Sequence, residues 1–201
     1  MIKILLADDQ ALVRGALAAL LDLEPDIEVV AQVGRGDLVV AAARESGAEV
    51  CLLDIEMPGA DGIEAASRIR GELPGVRSLI VTTFGRPGYL RRALEAGASG
   101  FVVKDTPAGE LADAVRAVHA GRRVVDPALA TESLAGGSNP LSDREREILR
   151  AALAGDPIAE IARAVHLSQG TVRNYLSSAI AKTGSVNRVA AARAAEANGW
   201  L

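Results

Sequence analysis

The first 120 residues alternate short apolar runs with stretches in which apolar residues recur at helical spacing. The apolar runs predict strands at residues 2–7, 27–33, 50–54, 78–83 and 99–104. The stretches between and after them predict helices at residues 11–22, 37–46, 62–73, 87–97 and 107–121. Five strand–helix repeats imply an α/β fold, in which a five-stranded, doubly wound parallel sheet carries helices on both faces.

The rest of the chain has a different character. Residues 127–140 predict a short helix that gives way to Gly-Gly-Ser-Asn-Pro, a sequence typical of a linker. Beyond it, Ser142 and Glu145 form a capping-box pattern at the start of a helix over 142–155, and three more helical segments follow. We therefore predict a first domain at 1–121, a linker at 122–140 and a small all-α domain at 141–201.

Charge and cysteine content narrow the class of protein. The net charge of −4 divides into −6 for residues 1–140 and +2 for residues 141–201, which suggests two modules with different partners. The chain has one cysteine, so no intramolecular disulfide can form, as is usual in a reducing cytoplasm. Because Cys51 lies in an apolar run, we expect a buried, inert thiol. No apolar stretch reaches about 18 residues, so we predict a cytoplasmic protein without membrane insertion.

Polar side chains stand where the predicted strands end. Asp8 and Asp9 follow the first strand, Asp54 ends the third, Thr82 lies at the end of the fourth and Lys104 ends the fifth. The carboxyl ends of parallel strands meet at one edge of a sheet, where ligands bind. Taken singly, each residue has a simpler explanation, such as a helix cap, a turn starter or a solvated strand end. Together they predict one site.

Three acids at one edge have a definite chemistry. Carboxylate oxygens are the ligands that Mg²⁺ prefers, and a carboxylate can also attack a phosphoryl group. Phosphoryl transfer depends mainly on positioning and on charge neutralisation, which Mg²⁺, the Lys104 ammonium and the Thr82 hydroxyl would supply.

The stretch EIARAVHLSQGTVRNYLSSAIAK, residues 160–182, predicts a helix, a short turn and a second helix that Ser168 caps. Arginine pairs bidentately with guanine and asparagine with adenine, while other cations neutralise phosphates. An alternative is a four-helix dimerisation module whose polar face is merely solvated. The predicted DNA contacts are Thr171, Arg173, Asn174, Ser177, Lys182 and Arg188.

These motifs resemble a known bacterial family. Asp8-Asp9, the segment Asp54–Gly59, Thr82 and Lys104 resemble a CheY-like receiver domain over about residues 1–120. The segments NPLSDREREIL (139–149) and SQGTVRNYLS (168–177) resemble a LuxR-type helix-turn-helix over about residues 140–201. The combination is that of the NarL/FixJ response regulators of two-component signalling.

The resemblance implies roles for individual residues. Asp54 would accept phosphate from a sensor histidine kinase, and Asp8, Asp9, Asp54 and the backbone carbonyl of Glu56 would hold Mg²⁺. Thr82 and Phe101 would form the switch pair. The resemblance also implies a homodimer, formed on phosphorylation, that binds two half-sites of double-stranded promoter DNA.

The chain departs from the family in the loop Gly155–Ala159, where Asp156 would repel phosphate and Ala159 replaces a usual cation. Two other functions remain open at this point. One is an aspartyl-phosphate phosphatase, although its second acid would have to be Glu56. The other is a DNA-binding regulator that is controlled by a ligand or partner and not by phosphate. We expect a regulator and not an enzyme.

Overall fold

The structure, a computed structural model, describes residues 1–83, 87–126, 130 and 139–201. They divide into two compact units, one built on a sheet and one on the C-terminal helices. The linker boundaries stay a prediction, and most of the short helix expected within 127–140 lies outside the described residues.

The sheet of the first unit is entirely parallel, with strand order β2-β1-β3-β4-β5-β6. Its strands are β1 (Ile2–Ala7), β2 (Ile27–Val33), β3 (Val50–Leu53), β4 (Arg77–Thr82), β5 (Gly100–Val103) and β6 (Val124–Val125).

The prediction of five strands was therefore wrong by one. Val124 and Val125 pair with Gly100 and Phe101, and the Val124 N–H donates to the Ser99 carbonyl at 3.1 Å. Two residues are too few to show an alternating pattern, and they fall inside the stretch predicted as linker. The strand extends the sheet beyond β5, which would otherwise be its edge.

The helices of the first unit confirm the predicted alternation. They are α1 (Ala11–Leu21), α2 (Val39–Ser46), α3 (Gly62–Glu72), α4 (Pro87–Ala96) and α5 (Ala108–His119). A single 3₁₀ turn, Gly36–Leu38, precedes α2 where the sequence predicted a continuous helix. Both α1 and α5 pack on one face of the sheet, whereas α2 and α3 contact the strands from the other.

The central strands β1, β3, β4 and β5 are largely buried because each face of the sheet is covered there. Leu6, Leu52 and Val81 face α1 and α5 within one apolar cluster. Side chains alternate along a strand, so their neighbours Ala7, Leu53 and Thr82 point to the opposite face. Continuous burial along β3 agrees with the unbroken apolar run that predicted it.

Within residues 139–201, the described part of the second unit, there are four helices: α6 (Asp143–Ala152), α7 (Ile158–Ala164), α8 (Gln169–Lys182) and α9 (Arg188–Ala197). The Ser142 side chain accepts from the Glu145 N–H and the Glu145 side chain from the Ser142 N–H, which confirms the predicted capping box. Ser168 caps α8 as predicted. The four helices enclose their own apolar core, which includes Leu149, Ile161 and Leu176.

Across the described part of the chain, none of the helices combines the length and the apolar character that crossing a bilayer requires.

Candidate functional site

The ends of β1 and β3 bring three carboxylates together. Ala7 pairs with Leu53 in the sheet, so the residues that follow them, Asp8 and Asp54, lie side by side. Carboxylate oxygens of Asp8, Asp9 and Asp54 all lie within 4.8 Å of one another. Asp8 and Asp54 are buried, whereas Asp9 is exposed, so the cluster opens to solvent on one side.

Lys104 joins this cluster from the end of β5. Its Nζ lies 2.8 Å from Asp8 Oδ2 and 3.1 Å from Asp54 Oδ2, and only 11% of its side chain is exposed. Lys104 is therefore an internal counter-charge and not a solvated strand end. Burial raises the pKa of the Asp54 carboxyl, while the neighbouring ammonium opposes that shift. Although burial opposes it, the pKa of Lys104 is raised by the hydrogen bonds to its two acids.

The donor set fits a hard divalent cation. Three carboxylates carry three negative charges when ionised, and one ammonium leaves two of them unbalanced. Oxygen ligands with a partly solvated opening suit Mg²⁺, which keeps several of its waters.

Backbone contacts fix both buried acids. Asp8 Oδ1 accepts from the Gln10 N–H at 2.9 Å, and Asp54 Oδ1 accepts from the Ile55 N–H at 2.9 Å. Gln10, and not Asp9, occupies the N-cap position of α1, so Asp9 is left to face the cluster. Arg14 of α1 donates to the Asp8 main-chain carbonyl, a contact that the sequence did not predict.

Two backbone hydrogen bonds, one from the start of α3 and one from the 3₁₀ turn, fix the loop after Asp54. The Gly62 N–H donates to the Ile55 carbonyl at 3.0 Å, and the Gly36 N–H donates to the Pro58 carbonyl at 3.1 Å. Glu56, whose backbone carbonyl was predicted as a metal ligand, is an exposed residue of this loop.

Thr82 and Phe101 share one side of the sheet. Thr82 pairs with Val103 and Ile80 with Phe101, so the two residues lie on the same face, in adjacent strands. Thr82 is 4% exposed and Phe101 is completely buried. Thr82 lies at the site edge of this face and Phe101 farther inside the core.

The second unit contains a helix-turn-helix, formed by α7 and α8. Ser168 Oγ accepts from the Thr171 N–H at 3.1 Å and lies 2.8 Å from Thr171 Oγ1, which fixes the first turn of α8. Arg173, Asn174 and Ser177 are exposed on α8, and Arg173 reaches Gln169 Oε1 at 3.5 Å.

The other two predicted DNA contacts are engaged within the protein. Arg188, at the start of α9, donates to the Gly155 carbonyl at 3.3 Å. Lys182 lies 2.7 Å from Glu145 Oε2. Glu145 also accepts from Ser178 Oγ at 2.6 Å, and neither contact was predicted, because the partners are more than thirty residues apart in sequence.

A parallel sheet with an acid cluster and a lysine at its carboxyl edge, followed by a helix-turn-helix unit, defines a response regulator: a receiver domain joined to a DNA-binding domain. Residues 4–116 match the family described as response regulator receiver domain, and residues 139–195 match the bacterial regulatory proteins of the luxR family. The chain belongs to the NarL/FixJ-type response regulators with a LuxR-type DNA-binding domain.

Known proteins of this kind are similar over their whole length. The transcriptional regulatory protein DesR of Bacillus subtilis is 42% identical over 201 residues, all of both chains. The sequence of residues 82–97, together with the C-terminal sequence, resembles that of DesR. The relatives are transcriptional regulators and not enzymes, as we expected.

Solved structures of response regulators are also similar to this chain. The response regulator ChrA of a heme-sensing two-component system aligns with a TM-score of 0.60 at 35% identity, covering 97% of this chain and 96% of that one. A complex of the response regulator RcsB with DNA gives 0.70 at 25% identity, with 98% of each chain covered.

Proposed function

We propose that this response regulator is switched by phosphorylation of Asp54 by a partner histidine kinase, and that the phosphorylated form dimerises and binds promoter DNA. The observation that supports this most is the pairing of buried Asp54 with Asp8 and Lys104 at the carboxyl edge of the sheet. A carboxylate that only capped a turn would not need a buried ammonium.

The transfer forms a bond between an Asp54 carboxylate oxygen and phosphorus while the bond to the kinase's imidazole breaks. The buried Lys104 ammonium balances charge on the phosphoryl oxygens, because it already lies within 3.1 Å of Asp54 Oδ2. We propose that Asp8, Asp9 and Asp54, with the Glu56 carbonyl, hold Mg²⁺. When bound, that ion supplies further positive charge at the same oxygens.

The switch follows from the added charge. Thr82 lies on the strand beside β5 and next to the site, so its hydroxyl can turn towards the phosphoryl oxygens. Phe101, buried on the same face, would take up the space that Thr82 leaves. This rearrangement would create the dimer surface.

We further propose that α8 reads the major groove. Arg173, Asn174 and Ser177 would contact bases, and Thr171 and Arg188 would contact the backbone, because these residues lie on α8 and at the start of α9. The complex of RcsB with DNA supports DNA binding by this chain, since the two chains align over 98% of their lengths.

The experiment is a measurement of solution mass by light scattering, with and without Mg²⁺ and beryllofluoride, a mimic of the phosphoryl group. We expect a shift from monomer to dimer in the wild type and none in Asp54→Ala. Asp54→Asn keeps the shape of the side chain and serves as a second control.

Two further measurements separate the parts of the proposal. Intact-mass spectrometry after treatment with acetyl phosphate should show one added phosphoryl group in the wild type and none in Asp54→Asn. Incubation with a small phosphoester tests the phosphatase alternative. An Asp54→Ala protein that still dimerises with beryllofluoride would refute the switch and favour control by another partner.

A further inference from the structure

Glu145 of α6 is a buried carboxylate in the helical unit, and two of its partners come from α8. Its Oε1 accepts from Ser178 Oγ at 2.6 Å, and its Oε2 lies 2.7 Å from Lys182 Nζ. Oε2 also accepts from the Ser142 N–H at 2.6 Å, and Glu145 is only 3% exposed. A carboxylate so deeply buried is tolerated only when it is paired and hydrogen-bonded, and here both oxygens are satisfied.

The spacing on α8 places Lys182 away from Arg173. Ser178 and Lys182 are four residues apart, so they lie one above the other on the side that faces α6. Arg173 precedes Lys182 by nine residues, and at about 100° per residue this places it roughly half a turn around the helix. Arg173 and Lys182 therefore point away from each other, and Lys182 already has a counter-charge.

We infer that Glu145 is a positioning residue that fixes the rotation of α8 on α6, and that Lys182 is its neutralising partner and not a contact for a DNA phosphate. This reassigns Lys182 from the DNA surface that its sequence position suggested. The inference rests on the proposed role of α8 in reading DNA, and it adds how that helix is held.

Salt dependence distinguishes the two roles of Lys182. Each protein cation that neutralises a phosphate adds about 0.9 to the slope of log affinity against log salt concentration. The full chain is titrated with a mixed-sequence DNA duplex over a range of salt. We expect Arg188→Met, at the cation proposed to contact the DNA backbone, to flatten the slope by about 0.9 and Lys182→Met to leave it unchanged.

Unfolding provides the complementary measurement. The chain has one tryptophan, Trp200, which packs against the core of the helical unit, so its fluorescence reports the unfolding of that unit within the full chain. We expect Lys182→Met to lower the urea midpoint and Arg173→Met to leave it near the wild-type value. The double variant Glu145→Gln, Lys182→Met should lose less than the sum of the two single variants, because both remove the same pair.

Ser178→Ala is the milder variant for a test of positioning. It removes one donor and no charge, and it should stay folded without denaturant. A duplex selected from a random pool by the wild-type chain supplies the preferred sequence. We expect Ser178→Ala to bind the mixed-sequence duplex normally, while its preference for the selected duplex falls about fivefold for each base that α8 no longer reads. A purely structural role would leave this preference unchanged.

A flatter salt slope in Lys182→Met, or an unchanged urea midpoint in that variant, would overturn the role of Lys182 as the partner of Glu145. An unchanged preference in Ser178→Ala would overturn the positioning role. The proposed binding of DNA fails separately, because in that case Arg188→Met would leave the slope unchanged as well.

Discussion

The Lys104 ammonium balances part of the negative charge of the carboxylates at the carboxyl edge of the sheet. Its ammonium contacts Asp8 and Asp54 in an environment with little access to water, so its removal leaves carboxylates unpaired. Loss of one partner of a buried ion pair destabilises a protein by about 3 kcal/mol or more.

We expect Lys104→Met to be less stable than the wild type in the absence of divalent ions. Mg²⁺ should raise the melting temperature of the variant more than that of the wild type, because the cation replaces the missing charge. Differential scanning fluorimetry with increasing Mg²⁺ measures this. Lys3→Met removes an exposed lysine from the same sheet and is the matched control. Equal Mg²⁺ shifts in all three proteins would contradict the replacement of the Lys104 charge by the cation.

Cys51 lies within the sheet, between Leu5 of β1 and Ser78 of β4. The thiol is fully buried in β3, and burial raises its pKa to about 12. We expect no reaction with a disulfide reagent such as dithionitrobenzoate in the folded chain and full reaction in urea. A fast reaction without denaturant would show that β3 opens or that the thiol is accessible.

At the scale of elements, the 3₁₀ turn before α2 supports the loop that follows Asp54. A Cβ added at Gly36 would lie 2.0 Å from the Ala60 carbonyl oxygen. Because this oxygen belongs to the backbone, relieving the clash requires a shift of the main chain. A shift of Gly36 away from Ala60 would break the hydrogen bond from the Gly36 N–H to the Pro58 carbonyl.

We therefore expect Gly36→Ala to lower the free energy of unfolding by about 1–3 kcal/mol and to slow the phosphorylation of Asp54 by acetyl phosphate. Gly71→Ala is the control. Gly71 lies in α3 with open space around it, so alanine there should stabilise the helix by about 0.5–1 kcal/mol. Equal effects of the two substitutions on unfolding in urea would refute the steric argument.

The stability that the capping box of α6 contributes depends on pH. Burial opposes the shift, but Lys182, Ser178 and the Ser142 N–H together lower the pKa of Glu145 from 4.5 to about 2. Its contribution is therefore complete above pH 4.5 and is lost as the pH falls from 4.5 towards 2. A shift of this size corresponds to about 3 kcal/mol.

We expect the urea midpoint reported by Trp200 to fall over that pH interval in the wild type. Glu145→Gln should start lower and vary less with pH. If the two proteins showed parallel curves, the low-pH loss would have to come from other carboxyl groups.

Sequence patterns predicted those features that are local or that repeat. The strand ends placed Asp8, Asp54 and Lys104 at one edge, because parallel strands all point the same way. Ser142 and Glu145 were predicted as a capping box because they are three residues apart. The link from Glu145 to Lys182 could not be predicted, since it depends on how α6 packs against α8. The strand β6 was missed because two valines carry no periodicity.

At the scale of the whole molecule, charge is unevenly distributed. The helical unit has a net charge of only +2, and the segment before α7 places Asp156 beside Gly155, whose carbonyl accepts from Arg188. An exposed acid next to a cation that is proposed to contact phosphate weakens that contact.

We expect Asp156→Asn to strengthen binding of the full chain to a mixed-sequence duplex by about two- to fivefold at low salt, the range of exposed charge pairs. Fluorescence anisotropy measures the affinity. Glu196→Gln removes an exposed acid near the end of α9 and should change binding less. A larger effect of Glu196→Gln would place the DNA on the opposite side of the unit.

The two ends of the helical unit meet through one side chain. Asn139 Nδ2 donates to the Trp200 carbonyl at 2.9 Å, and its Oδ1 accepts from the Leu141 N–H at 2.9 Å. A module whose entry and exit points adjoin can be inserted into, or fused to, an unrelated host without stretching either chain. Insertion of this helical unit into a different sensory protein would need junctions near residues 139 and 200, and because these positions adjoin, such a chimera should retain the unit's own DNA sequence preference.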